Sequence, residues 1–328
     1  MHRSIIFLAV SITYSYLFYQ FFLIQHQKKS DLILNRNIDG VKDATSGTSF
    51  KVIKSREVPQ FSHNFKKYVI EKYTRCTSEK WAVTTSINYP TEAILQLASS
   101  KDVCLVVVGD KKSPANFTIN SSQAIFLSLS LQKKLPYKII DILPVNNFAR
   151  KIIGYLFAIQ HGAKQIYDFD DDNILIHNNS AEIFNQKPML SISSEQLSFN
   201  AYRFYQEDNH TYIWPRGYPL EDIKEEPAFQ MDQLINPSKV QVIQFLQNEN
   251  PDLDAVYRLT QTIPKTFRKD LNKCIAINNF CPFNSQSTLF LYDSFPLLLL
   301  PMTVNGRVSD IWRSFILETV FRANGKLV

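Results

Sequence analysis

The stretch Ala163-Lys-Gln-Ile-Tyr-Asp-Phe-Asp-Asp-Asp-Asn-Ile-Leu-Ile176 constrains this chain more than any other. Strand-forming residues run straight into four carboxylates, Asp168, Asp170, Asp171 and Asp172, and a second short apolar run follows. That pattern predicts a buried strand ending at a site. Four like charges so close repel one another unless a cation neutralises them. Hard divalent ions, Mg²⁺ or Mn²⁺, suit carboxylate oxygens and often share their coordination with substrate phosphates. A solvated acidic turn is the plainer alternative. An EF-hand calcium loop is excluded, because its sixth position is Asn173 instead of Gly and its twelfth is Asn179 instead of Glu.

The residues before this stretch alternate between strand and helix patterns. Trp81–Ser86 reads as a strand, Pro90 to about Ser99 as a helix, and Val103–Gly109 as an apolar strand buried on both faces. Ala124–Leu127 and Tyr137–Ile140 are shorter candidate strands around a helix over 128–134. Asn147–His161 carries Phe148, Ile152, Tyr155, Leu156 and Ile159 at helical spacing, and Gly162 ends it. The fold class that follows is α/β, a mixed and mostly parallel sheet flanked by helices. In such sheets ligands bind beyond the carboxyl ends of the strands. Asn88, Asp110 and Asp168 each follow an expected strand end and are placed to face one crevice. An Asp at the end of a second strand commonly binds a base or ribose; a turn former is the alternative for Asp110.

Further along, the pattern thins. Residues 180–240 look irregular and aromatic, with Trp214-Pro-Arg-Gly-Tyr-Pro219 as a structured loop presenting Trp214 and Arg216. Those residue types stack on sugars or pair with phosphate, or else cap a core. Val240–Leu246 reads as a strand. Phe295–Pro301 is apolar but too short to cross a membrane. Ser309 is a candidate helix cap, and Asp310 beside it is either part of a helix start or an acid able to reach the crevice as a base.

The 328 residues carry a net charge of +6 without a dense basic run, which argues against nucleic-acid binding. Residues 1–4 form a short tail. Residues 5–24 are apolar and uncharged, about 30 Å as a helix, and read as an uncleaved signal anchor. Residues 25–75 are polar and aperiodic, a stem, although 61–73 has the makings of a short helix; 76–328 is the folded domain. Lys28 and Lys29 favour a cytosolic flank. The sequons Asn116-Phe-Thr, Asn120-Ser-Ser, Asn178-Asn-Ser and Asn209-His-Thr favour a lumenal domain. Cys274 and Cys281 are placed to close a short loop, and Cys104 reads as a buried thiol.

Several blocks together resemble the STELLO family of glycosyltransferase-like type II Golgi membrane proteins. They are Trp81–Thr91, Leu105–Pro114, Arg150–Asp171, Trp214–Pro219, Pro251–Arg258 and Val308–Arg313. The resemblance implies a GT-A-like fold and a lumenal transferase using Mn²⁺ or Mg²⁺. It implies a nucleotide-sugar donor, a glycan or protein acceptor, and other Golgi enzymes as partners. Asp168, Asp170 and Asp171 fall on the family's Asp-x-Asp-Asp, and with Asp172, just outside that shared run, they make up the expected metal set. The donor set is Ser86, Asn88, Asp110, Arg150, Gly154, Asp168, Trp214, Arg216 and Arg313. Asp310 is the expected catalytic base. A register of Asp170-x-Asp172 remains open, as does a scaffold that keeps the fold without turnover. The family's domain is expected to continue past Arg313, which 15 residues follow here.

Overall fold

The apolar runs marked as strands pair side by side and in parallel. In the computed structural model, β1 (Lys80–Ser86) lies against β2 (Cys104–Gly109), with Trp81 opposite Cys104 and Ser86 opposite Gly109. Between them runs α1 (Glu92–Ala98), capped by the Thr91 hydroxyl, which accepts from the Ile94 N–H. β3 (Ala124–Leu127), the one-turn α2 (Leu129–Gln132), α3 (Lys151–Gln160), β4 (Gln165–Phe169) and α4 (Ser180–Phe184) follow. The chain then makes β5 (Met189–Ser194), α5 (Ala201–Tyr205), β6 (Phe229–Ile235), β7 (Val242–Gln244), α6 (Ala255–Thr260), β8 (Cys274–Ile277), β9 (Ser287–Leu291) and α7 (Gly306–Ala323). The structure describes residue 74 and residues 76–176, 180–207, 212–225, 228–263, 265–268 and 274–328. The expected anchor, almost all of the stem, the helix over 61–73, and the sequons at Asn178 and Asn209 lie outside the described residues. Among the described residues no helix is long and apolar enough to cross a membrane.

The main sheet has the order β3-β2-β1-β4-β9-β7. Its first four strands are parallel; β9 runs antiparallel to both β4 and β7. Alternate residues of β1 and β2 enter separate apolar layers, as a period of two requires. Trp81, Val83, Cys104, Val106 and Val108 pack with α3 and α7; Ala82, Leu105 and Val107 pack with α1 and α4. Both faces are therefore covered, which is why β2 reads as a continuous apolar run. A smaller sheet, β6-β5-β8, stands apart.

Several expectations are corrected. Tyr137–Ile140 is no strand; Lys138–Asp141 is a 3₁₀ turn. The irregular region holds β5 and β6, whose partners are far along the chain. β9, sandwiched between β4 and β7, was not expected at all. Ser309 does not cap α7: Asn305 does, accepting from the Arg307 N–H, while the Ser309 hydroxyl donates to the Pro301 carbonyl. The disulfide joins Cys76 to Cys104, leaving Cys274 and Cys281 as free thiols. Those two sit in different apolar clusters, so the short loop between them does not bring their sulfurs together.

Candidate functional site

A cleft of about 670 Å³ opens at the carboxyl ends of β1, β2 and β4. It is lined by Asp110, Asp170, Asp171, Asp172, Asp252 and Asp310, and by the cations Lys112, Arg216, Arg258 and Arg307. Ser86, Asn146, Asn147, Phe148 and Asn305 complete much of the wall.

The acidic stretch divides along its length. β4 does not stop before the acids: it runs through Asp168 and Phe169, with Asp168 paired to Val83 on one side and Thr288 on the other. Asp168 is wholly buried behind the cleft. One of its oxygens lies 2.6 Å from the Lys151 ammonium. The other accepts from the Tyr155 hydroxyl at 2.7 Å and from Arg313 at 3.2 Å. Asp168 is thus neutralised by protein cations, and Arg313, also buried, serves it and the Ser285 hydroxyl and does not line the cleft. Burial works to lower the Lys151 pKa, but Asp168 and Asp170 more than offset it and the pKa is raised. Tyr155 is pushed well up by burial and by Asp168.

Past the strand end the acids reach the cleft. Asp170 keeps 42% of its side chain exposed while one oxygen rests 3.3 Å from Lys151. Burial pushes its carboxyl up to about 6 against the pull of Lys151, with Asp168 and Asp172 adding to the rise. Asp171 is tied to the end of β1: its side chain accepts from the Ser86 hydroxyl at 2.5 Å and from the Asn88 amide at 3.2 Å, and its carbonyl accepts from Thr91. Asp172 is exposed. Among the described residues no three His, Cys, Asp or Glu side chains converge to hold an ion by themselves. Asp170 and Asp172 instead offer two carboxylates, a donor set that suits Mg²⁺ or Mn²⁺ when substrate phosphates and water supply the rest.

Asp110 sits at the end of β2, but its carboxylate is spent on backbone: the N–H groups of Lys111, Asn146 and Asn147 donate to it at 2.7, 2.8 and 3.1 Å. Arg150 is buried and holds the same loop from behind, donating to the carbonyls of Leu143 and Pro144 and to Gln132. Gly154 faces β1 and β2, where an added Cβ would lie 2.4 Å from Val83 Cγ1. It allows helix and sheet to approach; it does not line the cleft. Trp214 is buried against Tyr257 with its indole N–H on Asp254, an aromatic core position and not a stacking platform in the cleft.

Arg216 does reach the cleft, and every one of its N–H groups is engaged. They bond Asp252 at 2.7–3.0 Å, Asp310 at 2.8 and 2.9 Å, and the Arg307 carbonyl. Asp310 also accepts from the Ser285 and Ile311 N–H groups. Burial alone would raise its pKa, but the Arg216 hydrogen bonds and charge hold it below the usual carboxylate range. So clamped, Asp310 is built to orient Arg216, and a proton-accepting role gains no support from this geometry.

Sequence reasoning missed Lys151, Tyr155, Asp252, Arg258 and Arg307. Lys151 and Tyr155 were within reach, since they stand four apart on a helix and so share its buried face. A Lys on such a face needs a buried partner. Asp252 had no local signal: its link to Arg216 spans 36 residues.

The fold thus gathers carboxylates and guanidinium groups in a cleft beyond the carboxyl ends of its parallel strands, the place where α/β sheets bind ligands. No family model matches the chain. Two Arabidopsis thaliana proteins, named Probable glycosyltransferase STELLO1 and Probable glycosyltransferase STELLO2, are each 32% identical to it over 285 residues, or 81% of this chain. This similarity supports a STELLO-type glycosyltransferase-like family for the protein. The chain spans 37% of the length of either relative.

Proposed function

We propose that this protein transfers a sugar from a nucleotide-sugar donor to a glycan or protein acceptor, with a GT-A-like fold and a divalent cation, Mn²⁺ or Mg²⁺. The observation that carries this reading is the meeting of Asp170 and Asp172 with Arg216, Arg258 and Arg307 in one cleft. Asp170 and Asp172 would hold the ion, in the second of the two registers open in the sequence. The ion supplies Lewis-acid stabilisation of charge on the departing nucleotide. Lys151 fixes one oxygen of Asp170, and the exposed Arg307 is available to the diphosphate, whereas Arg258 already donates to Asn250 and to the Pro251 and Leu253 carbonyls. A single-pass type II Golgi membrane protein with a lumenal domain completes the proposal. It draws support from the Cys76–Cys104 disulfide, which suits an oxidising compartment, and from the exposure of the sequon residues Asn116 and Asn120.

One observation favours a scaffold of other Golgi enzymes as a second reading. Asp168 and Asp310, the acids that the resemblance assigned to chemistry, are both locked in ion pairs that hold the fold. Titration of residues 60–328 with UDP and GDP, with and without Mn²⁺, separates the two. Mn²⁺-dependent binding that Asp170→Ala abolishes is the expected result. A folded protein that binds neither nucleotide would leave the scaffold reading standing alone.

A further inference from the structure

The acid expected to read the base or ribose is Asp110, yet its carboxylate is consumed by the backbone of the loop facing it. What Asp110 accomplishes is to fix that loop. Asn146 is held at a φ of +52°, a left-handed conformation that Asn tolerates better than most residues. Arg150 anchors the chain just before it through the Leu143 and Pro144 carbonyls, and Leu143 is buried in the core. Just after it, the Asn147 side-chain oxygen accepts from the Ala149 N–H at 2.9 Å. Three independent ties therefore hold a turn whose residues 146–148 all line the cleft. A turn so constrained, ending in an exposed amide and an aromatic ring, is organised to present those two groups.

The chemistry of the turn is specific. The Asn146 carboxamide is exposed and has no hydrogen-bond partner among the described residues, so it offers a donor and an acceptor side by side. Phe148 is half-buried, packed on the core and against the Lys151 ammonium 5.3 Å from its ring centre, while still lining the cleft. Neither residue is charged, and Phe148 is the one aromatic ring among the described residues that line the cleft. A planar, uncharged ring with hydrogen-bonding edges fits such a pair, because a base stacks on an aromatic face and is read by a carboxamide.

We propose that the turn Asn146–Phe148 is the nucleobase-reading element of the cleft: Phe148 stacks on the base of a nucleoside diphosphate, and the Asn146 carboxamide pairs with its edge. Asp110 and Arg150 are the positioning residues of this element. The inference rests on the donor-site reading above and adds the residues that select among donors.

The test compares wild type, Asn146→Gly and Phe148→Leu by calorimetric titration with UDP, CDP, GDP, ADP and inorganic pyrophosphate, each with Mn²⁺. Gly keeps the left-handed backbone without strain, so Asn146→Gly removes the carboxamide alone. The wild type is expected to favour one base by about tenfold or more, and Asn146→Gly to reduce that spread to about threefold or less. Phe148→Leu should weaken every nucleotide by about tenfold. Both variants should bind pyrophosphate as the wild type does and melt at a similar temperature. An unchanged base ranking in Asn146→Gly would overturn the proposal. So would wild-type protein that binds pyrophosphate as tightly as every nucleotide, although the phosphate site would then stand. Folded wild type that binds neither nucleotide nor pyrophosphate overturns the donor-site reading itself, and the proposal with it.

Discussion

Asp168 and Asp310, both expected to do chemistry, are held as structural ions. Asp310 shares Arg216 with Asp252, and all three are largely sealed from solvent. A buried network with every partner in place is rigid, and removing one member leaves an uncompensated charge. Arg216→Met should therefore cost about 3–5 kcal/mol in urea unfolding, far more than an exposed arginine would. The pH dependence has a definite sign. Asp310 has a folded pKa below its unfolded one, so its contribution is complete above the unfolded value and is lost as pH falls through the folded one. Asp310→Asn should lower stability at neutral pH and flatten the loss that wild type shows below about pH 4. Neither partner of Asp310 was legible, since Arg216 lies 94 residues away and Ser285 lies 25 away.

At the scale of elements, the seams between helix and sheet set the tolerances. α3 approaches β1 and β2 through Gly154, where a Cβ would meet Val83 Cγ1 at 2.4 Å and Val108 Cγ2 at 2.9 Å. Gly154→Ala should thus destabilise by about 1–3 kcal/mol despite its better helix propensity, a cost to be measured by denaturant unfolding. On α7, Glu318 is buried with one oxygen on the Cys281 N–H and the other unpartnered among the described residues. Burial holds its pKa well above the usual range, against the pull of the Cys281 N–H and Arg322. The folded state keeps a proton that the unfolded chain releases, so stability falls as pH rises above the unfolded value, near 4.5. Glu318→Gln removes that dependence, and its melting temperature should exceed that of wild type at pH 8 by more than at pH 5.

For the whole molecule, the Cys76–Cys104 bond ties the segment entering β1 to the neighbouring strand β2. Alkylation of the unfolded, unreduced protein should modify two cysteines, Cys274 and Cys281; modification of Cys76 or Cys104 would contradict the pairing. The parallel core was legible because a strand buried on both faces needs an unbroken apolar run, which β2 has, while β1 and β4 carry shorter apolar stretches, Trp81–Val83 and Ile166–Tyr167. The helices between those strands announced themselves by period and caps. β5, β6 and β9 were not legible, because Ser, Thr, Gln or Asp interrupts or opens each of them and none carries the apolar run that marked β2. The sequence by itself determined that carboxylates would gather where β4 ends at a mixed sheet, since strand period and charge are local properties. Only the tertiary structure decided which of them face the cleft. A strand running two residues further than expected buries Asp168 between Lys151 and Arg313, whereas Asp170 and Asp172, just past its end, remain open to a ligand.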